Sequence, residues 1–206
     1  MSTPSSAREV RLLAPAKINL VLEVVGRRPD GYHDIDSVFV PIDLCDEVRL
    51  SIAPHASFEI HLECDDPSLP SDRRNTAWRA VEEFFRNRAR RPRVAVSLRK
   101  RIPAGSGLGG GSSDAAAVLR ALARVEGVPE RAPEVMEAAL AVGADVPFFL
   151  WCRPARVRGI GERIEPLGSF PELSLAIVWP GFPISTRSAY EALDRSLTSR
   201  KSADTM

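Results

Sequence analysis

The 206-residue sequence predicts an α+β fold. Three observations carry that expectation. Several short segments alternate apolar and polar residues, the period of a half-buried strand. Others repeat apolar residues every three or four positions, the spacing of a helix packed on one face. The segments run strands, helix, strand, helix, helix, strands, which is not the regular alternation of a doubly wound parallel sheet.

Residues 10–25 are rich in leucine and β-branched side chains and read as one or two strands, interrupted by the polar Ala16-Lys17-Ile18-Asn19. Arg28-Pro29-Asp30-Gly31 is a turn, with proline presetting φ and glycine free to take positive φ. Val48, Leu50 and Ile52 alternate with Arg49 and Ser51, and Phe58, Ile60 and Leu62 repeat the pattern, which predicts an antiparallel pair. Asn75 can cap a helix with Trp78, Val81 and Phe84 or Phe85 on its apolar side. The basic run RNRARRPR then reads as a solvated helix end, since no aromatic residues interleave with its charges. Residues 94–98 form a strand, residues 112–126 a helix closed by Gly127 and Pro129, and residues 133–142 a helix stopped by Gly143. Strands over 156–164 and 173–179, a helix over 185–194 and a frayed tail follow. The motif-bearing domain is expected over 1–153 and a second subdomain over 154–206.

A net charge of +1 argues against bulk capture of nucleic acid or membrane. The opening MSTPSSAREV has no apolar signal region, and no segment approaches ~18 consecutive apolar residues. Cys45, Cys64 and Cys152 make neither a zinc pattern nor a disulfide framework. A soluble, cytoplasmic protein acting on small molecules is expected, with no oligomeric state specified. His55 and His61 lie outside any motif and are expected to face solvent. Lysine occurs only at Lys17, Lys100 and Lys201, so a lysine beside a motif stands out.

The stretch PAGSGLGGGSSDAAAVL, residues 103–119, places five glycines within residues 105–111 and turns at once into an alanine-rich run. Glycine at that density costs backbone entropy, so bare backbone must be required there. A strand, a glycine loop and a helix start together make an anion site: free N–H groups and the positive end of the helix dipole face an incoming phosphate. The P-loop pattern is absent, since Gly111 is followed by Ser112-Ser113 and not by Lys-Ser/Thr. The dinucleotide fingerprint fits no better: Gly105, Gly107 and Gly110 have its spacing, but no acidic residue ends a following strand about twenty residues on.

PAGSGLGGGSSDAAA resembles the phosphate-binding motif of the GHMP kinases. APAKINLVLEVVGRRPDGYHDIDSVF, VGADVPFFL, GIGE and PGFPISTRSAYEALD resemble, within that superfamily, the branch acting on 4-diphosphocytidyl-2-C-methyl-D-erythritol. The likeness covers about residues 10–195. It implies the GHMP kinase fold: an N-terminal domain like the second domain of ribosomal protein S5, plus a C-terminal ferredoxin-like subdomain. Nothing after Asp194 matches the family's late Gly-Ser-Gly segment, so that subdomain is expected to be incomplete.

The resemblance further implies ATP and Mg2+, and transfer of the γ-phosphoryl group to the 2-hydroxyl of the methylerythritol moiety. Lys17 and Asp145 map onto the catalytic pair, a carboxylate to accept the hydroxyl proton and an ammonium to steady developing charge. Pro103, Ala104, Gly105, Ser106, Gly107, Leu108, Gly109, Gly110, Gly111, Ser112, Ser113 and Asn75 map onto the nucleotide site. Asn19, Tyr32, His33, Phe39 and Thr186 map onto the substrate site, with Tyr32 able to stack on cytosine. The magnesium ligands stay open, with Ser113 a candidate. A GHMP kinase for mevalonate or homoserine, or an inactive nucleotide-binding homologue, are the competing readings.

Overall fold

Two long strands organise the molecule, a computed structural model that describes residues 7–90, 92–182, 189, 192 and 193. Strand β1 (Arg8–Arg27) and strand β2 (His33–Ala53) form one antiparallel hairpin. The predicted turn joins them: Gly31 takes φ +89°, and the Arg28 N–H donates to the Tyr32 carbonyl.

Strand β2 is the spine of a single sheet. One edge pairs along β1. On the other edge, residues 47–53 pair antiparallel with β4 (Arg93–Arg99) and residues 35–39 with β5 (Ala155–Gly159). Strand β6 (Arg163–Pro166) lies beside β5, and β3 (Glu59–Cys64) runs parallel to β4. The sheet therefore continues across residue 154.

The expected antiparallel pairing of Val48–Ile52 with Phe58–Leu62 does not form, because β4 lies between β2 and β3. Alternation tells which face a strand buries, not which neighbour it takes. Val94, Val96 and Leu98 are all buried, whereas β3 fully buries only Leu62, so β4 takes the interior place and β3 the edge.

Helices α1 (Thr76–Phe85), α2 (Gly110–Glu126), α3 (Pro133–Val142) and α4 (Val146–Trp151) complete the described core. Helix α2 packs on β1 and β2 and touches the other three helices. Its buried Ala115, Ala116, Ala117, Ala121 and Ala123 favour helix and permit close approach to the sheet. Gly127, at φ +70°, ends it by donating to the Ala123 and Arg124 carbonyls.

No strand forms over 173–179. Leu173, Leu175, Ile177, Val178 and Trp179 are exposed there and pair with no neighbour among the described residues. Strand-rich composition without a partner edge does not make a ladder. The helix expected over 185–194 falls almost wholly outside the described residues.

Candidate active site

Gly105, Gly107 and Gly109 all adopt left-handed φ, at +69°, +76° and +75°. Helix α2 starts at Gly110, two residues before the sequence suggests, with Gly109 at its N-cap and no side chain capping it. The N–H groups of its first turn are left for a ligand. They face a cleft of about 370 Å³ lined by residues 102–112, with Leu69, Pro70, Asn75 and Thr76 on the far wall.

Asn75 does cap α1: its Oδ1 accepts from the Ala77 N–H at 2.9 Å, and its Nδ2 donates to the Pro70 carbonyl at 2.9 Å. The neighbouring Thr76 hydroxyl donates to the Gly111 carbonyl at 2.6 Å, so the starts of α1 and α2 are tied together. Ser113 is buried within α2, and its hydroxyl oxygen has no partner among the described residues.

Lys17 reaches the other side of this loop. Register shifts in the β1–β2 ladder, between Pro15 and Lys17 and again between Asn19 and Val21, break the alternation around it. Such irregularities re-aim side chains beside sites. Lys17 is only 6% exposed, and its Nζ lies 3.8 Å from Asp145 Oδ2 and 4.6 Å from the Phe39 ring centroid. Its ammonium donates to Asn19 Oδ1 at 2.7 Å, and Asn19 Nδ2 donates to the Ser37 hydroxyl at 2.9 Å. Burial lowers the Lys17 pKa below the usual lysine value, against the opposing pull of the Asp145 carboxylate.

Asp145 stands at the N-cap of α4 but makes no side-chain cap bond, so its carboxylate is not committed to the helix. The Gly159–Glu162 turn supports its neighbour. A Cβ on Gly161, at φ +129°, would come within 3.0 Å of the Ala144 carbonyl oxygen.

Behind the loop lies a buried group that the motif reading passed over. Lys100 Nζ donates to both Asp46 and Asp114, and the Arg101 and Ile102 N–H groups donate to Asp46 Oδ1. Burial drives the Asp114 carboxyl up to about 7, despite Lys100 beside it. The scarcity of lysine was the available signal, since Lys100 directly precedes the glycine segment.

Phe39 is 2% exposed and presents its ring to Lys17 and Phe148, so it meets the site through Lys17. Tyr32 and His33 sit at the hairpin tip, six residues along β2 from Phe39, about 20 Å at the ordinary strand rise. Tyr32 is 60% exposed. Thr186 lies outside the described residues. His55 and His61 are exposed and pair with Glu59 and Glu63.

Comparison with known proteins adds three findings. Residues 75–153 match the family model "GHMP kinases N terminal domain". Curated relatives named 4-diphosphocytidyl-2-C-methyl-D-erythritol kinase include one from a Geobacter species, 39% identical over 90% of this chain and 66% of its own length. Another, from Geobacter metallireducens, is 37% identical over 97% of this chain and 69% of its own. A crystal structure of 4-(cytidine 5'-diphospho)-2C-methyl-D-erythritol kinase superposes with a TM-score of 0.63 at 39% identity, covering 91% of this chain and 72% of that one. The chain thus spans about two thirds of the length of the curated relatives it matches.

Proposed function

The chain belongs to the 4-diphosphocytidyl-2-C-methyl-D-erythritol kinase family of the GHMP kinases, and from that premise we propose that it transfers the γ-phosphoryl group of ATP to the 2-hydroxyl of 4-diphosphocytidyl-2-C-methyl-D-erythritol. The observation that carries this reading is the 3.8 Å approach of Lys17 Nζ to Asp145, alongside a glycine-framed helix start.

In this reading ATP lays its phosphates against the N–H groups at the start of α2, and its nucleoside against the wall holding Pro70 and Asn75. The substrate hydroxyl oxygen attacks the γ-phosphorus while Asp145 accepts the hydroxyl proton, and ADP leaves with the electrons of the broken P–O bond. Lys17 offsets charge on the transferring oxygens. Tyr32 and His33 would receive the cytosine, Asn19 the methylerythritol end. The extended diphosphate-linked substrate suits the separation between hairpin tip and catalytic pair.

The residues present also suit a magnesium ion arriving with the nucleotide. No group of three or more His, Cys, Asp and Glu side chains forms a metal cluster among the described residues, so the phosphates would supply most ligands. Ser113, the candidate ligand from the sequence, is buried and does not line the cleft, so the ion would sit among the phosphates at the start of α2. Bound there, the ion would neutralise charge on the β- and γ-phosphates.

We place the reaction in the cytoplasm; no helix among the described residues is long and apolar enough to cross a membrane. The exposed apolar residues Leu175, Ile177 and Trp179 favour a second reading, nucleotide binding without turnover. Coupled ADP-release assays on the cytidine-diphosphate substrate, mevalonate and homoserine, run in parallel, decide between them. Turnover on the first substrate alone is expected. ATP binding without turnover on any of the three would establish the second reading.

A further inference from the structure

We propose that Ser37 is a positioning residue for the Lys17 ammonium: its hydroxyl locks the Asn19 amide with the oxygen facing Lys17, which holds the cation beside Asp145. The role assigned to Lys17 rests on the kinase reading above. The lock itself does not.

The Ser37 hydroxyl donates to the Val21 carbonyl, a group that only accepts. Its single proton being used, the hydroxyl oxygen offers a lone pair to Asn19, which only the amide NH2 can fill. Asn19 Oδ1 must then point the other way, to the Lys17 ammonium at 2.7 Å. A flipped amide would set donor against donor at Lys17 and acceptor against acceptor at Ser37. Asn19 is half-buried, but the groups it bonds are not exposed, Ser37 at 1% and Lys17 at 6%, so the mismatch would fall on buried partners.

Local backbone geometry builds the acceptor. A regular ladder would place Val21 opposite Ser37, but the shift after Asn19 sets Val21 opposite Val38 and Leu22 opposite Ser37. The extra residue, Leu20, brings the Val21 carbonyl onto the Ser37 hydroxyl. Ser37 also interrupts an otherwise apolar buried row, between Ile35 and Phe39. A hydroxyl there costs stability unless bonded on both sides, which is the arrangement seen.

Among the described residues Asp145 is the acidic group paired with Lys17; β2 faces it with the Phe39 ring, and the glycine loop with Gly109 against its stem. Loss of the oriented Asn19 oxygen therefore removes a neutral acceptor that favours the charged form.

The test compares Ser37→Thr with Ser37→Val, side chains of equal size that differ only in the hydroxyl. Steady-state kinetics across pH are read together with an NMR titration of the lysine ammonium groups. Only three lysines need assignment, and Lys17→Arg identifies the relevant signal. In Ser37→Val we expect kcat to fall about tenfold, the KM for ATP to stay within about twofold, and Lys17 to titrate at lower pH. The alkaline limb of the rate profile should move the same way, and Ser37→Thr should restore both behaviours. Equal kcat and equal Lys17 titration in the two variants would overturn the proposal. Should Ser37→Val not fold, Ser37→Ala takes its place against Ser37→Thr. If the parent transfers no phosphoryl group, the kinase reading fails, and the titration alone decides the role of Ser37.

Discussion

The Lys17 backbone N–H donates to the Leu108 carbonyl at 2.9 Å, which fastens the strand carrying the ammonium to the loop that frames the phosphate cleft. Relative placement of this strand and the cradle is therefore a backbone property. A change in either side chain leaves the scaffold standing, which makes point substitutions informative.

Asp145→Asn removes the proton acceptor and keeps the shape. Transfer should fall by roughly 10²–10⁴-fold, the usual worth of a general base, with ATP affinity within a few-fold of the parent. Coupled assays and calorimetry measure the two quantities. Near-parental turnover would remove Asp145 from proton transfer.

Gly109→Ala should be more damaging than Gly107→Ala. Both glycines have left-handed φ, but a Cβ at 109 would lie 2.9 Å from Phe149 Cζ and 3.2 Å from Lys17 Cγ, whereas one at 107 meets nothing within 4 Å. Strain alone costs about 1–3 kcal/mol at either position, and the collision adds to it at 109. Thermal melts should rank the variants in that order, and only Gly109→Ala should also weaken ATP binding strongly. A reversed order would contradict the packing described for the loop.

Lys17 should lose its proton at a pH below the ordinary lysine value of about 10.4, because burial outweighs the Asp145 attraction. Activity should accordingly decline on the alkaline side before free lysine titrates. Lys17→Arg, which stays protonated, should be nearly inactive because a planar fork does not fit a point-charge position. A rate flat to pH 10 in the parent would show the ammonium to be dispensable or unshifted.

Asp114 gives a pH dependence of stability with a definite sign. Its carboxyl holds a proton up to about pH 7 in the folded chain but releases it near pH 4 when unfolded. The folded state thus binds more protons in that window, and this group's contribution to stability falls as pH rises from about 4 to about 7. Asp114→Asn lacks the titration and leaves Lys100 paired with Asp46. The melting temperature of the variant minus that of the parent should climb across the window and level off above it. A constant difference would mean that Asp114 stays ionised when folded.

What could be read from the sequence divides along the range of the forces involved. The turn at Arg28–Gly31, the Asn75 cap and the Gly127 stop are local, and residue chemistry announces them. The glycine loop and the segments around Lys17 and Asp145 carried the family likeness, and the fold brings them together. Pairing of β3 was misjudged because a strand's partner depends on competition between distant edges, which alternation does not encode. Nothing in the sequence singles out Ser37, since the register shift after Asn19, invisible there, decides what it faces. The Lys100–Asp46–Asp114 group gathers residues from three separate segments, so only Lys100's rarity hinted at it.

Strand β2 also governs the order in which the molecule assembles. Its pairing with β1 needs only a short turn to close, but its pairing with β5 joins residues such as Asp36 and Arg156, 120 positions apart. Closing so long a loop costs entropy that the hairpin does not incur, and chains rich in distant contacts fold slowly. The hairpin can therefore exist early as a half-sheet with its 35–39 edge bare, a template for any other extended segment. Until β5 docks, that edge competes between correct closure and association with a second chain. Crowded synthesis, more than loss of native stability, is the condition under which this architecture is vulnerable.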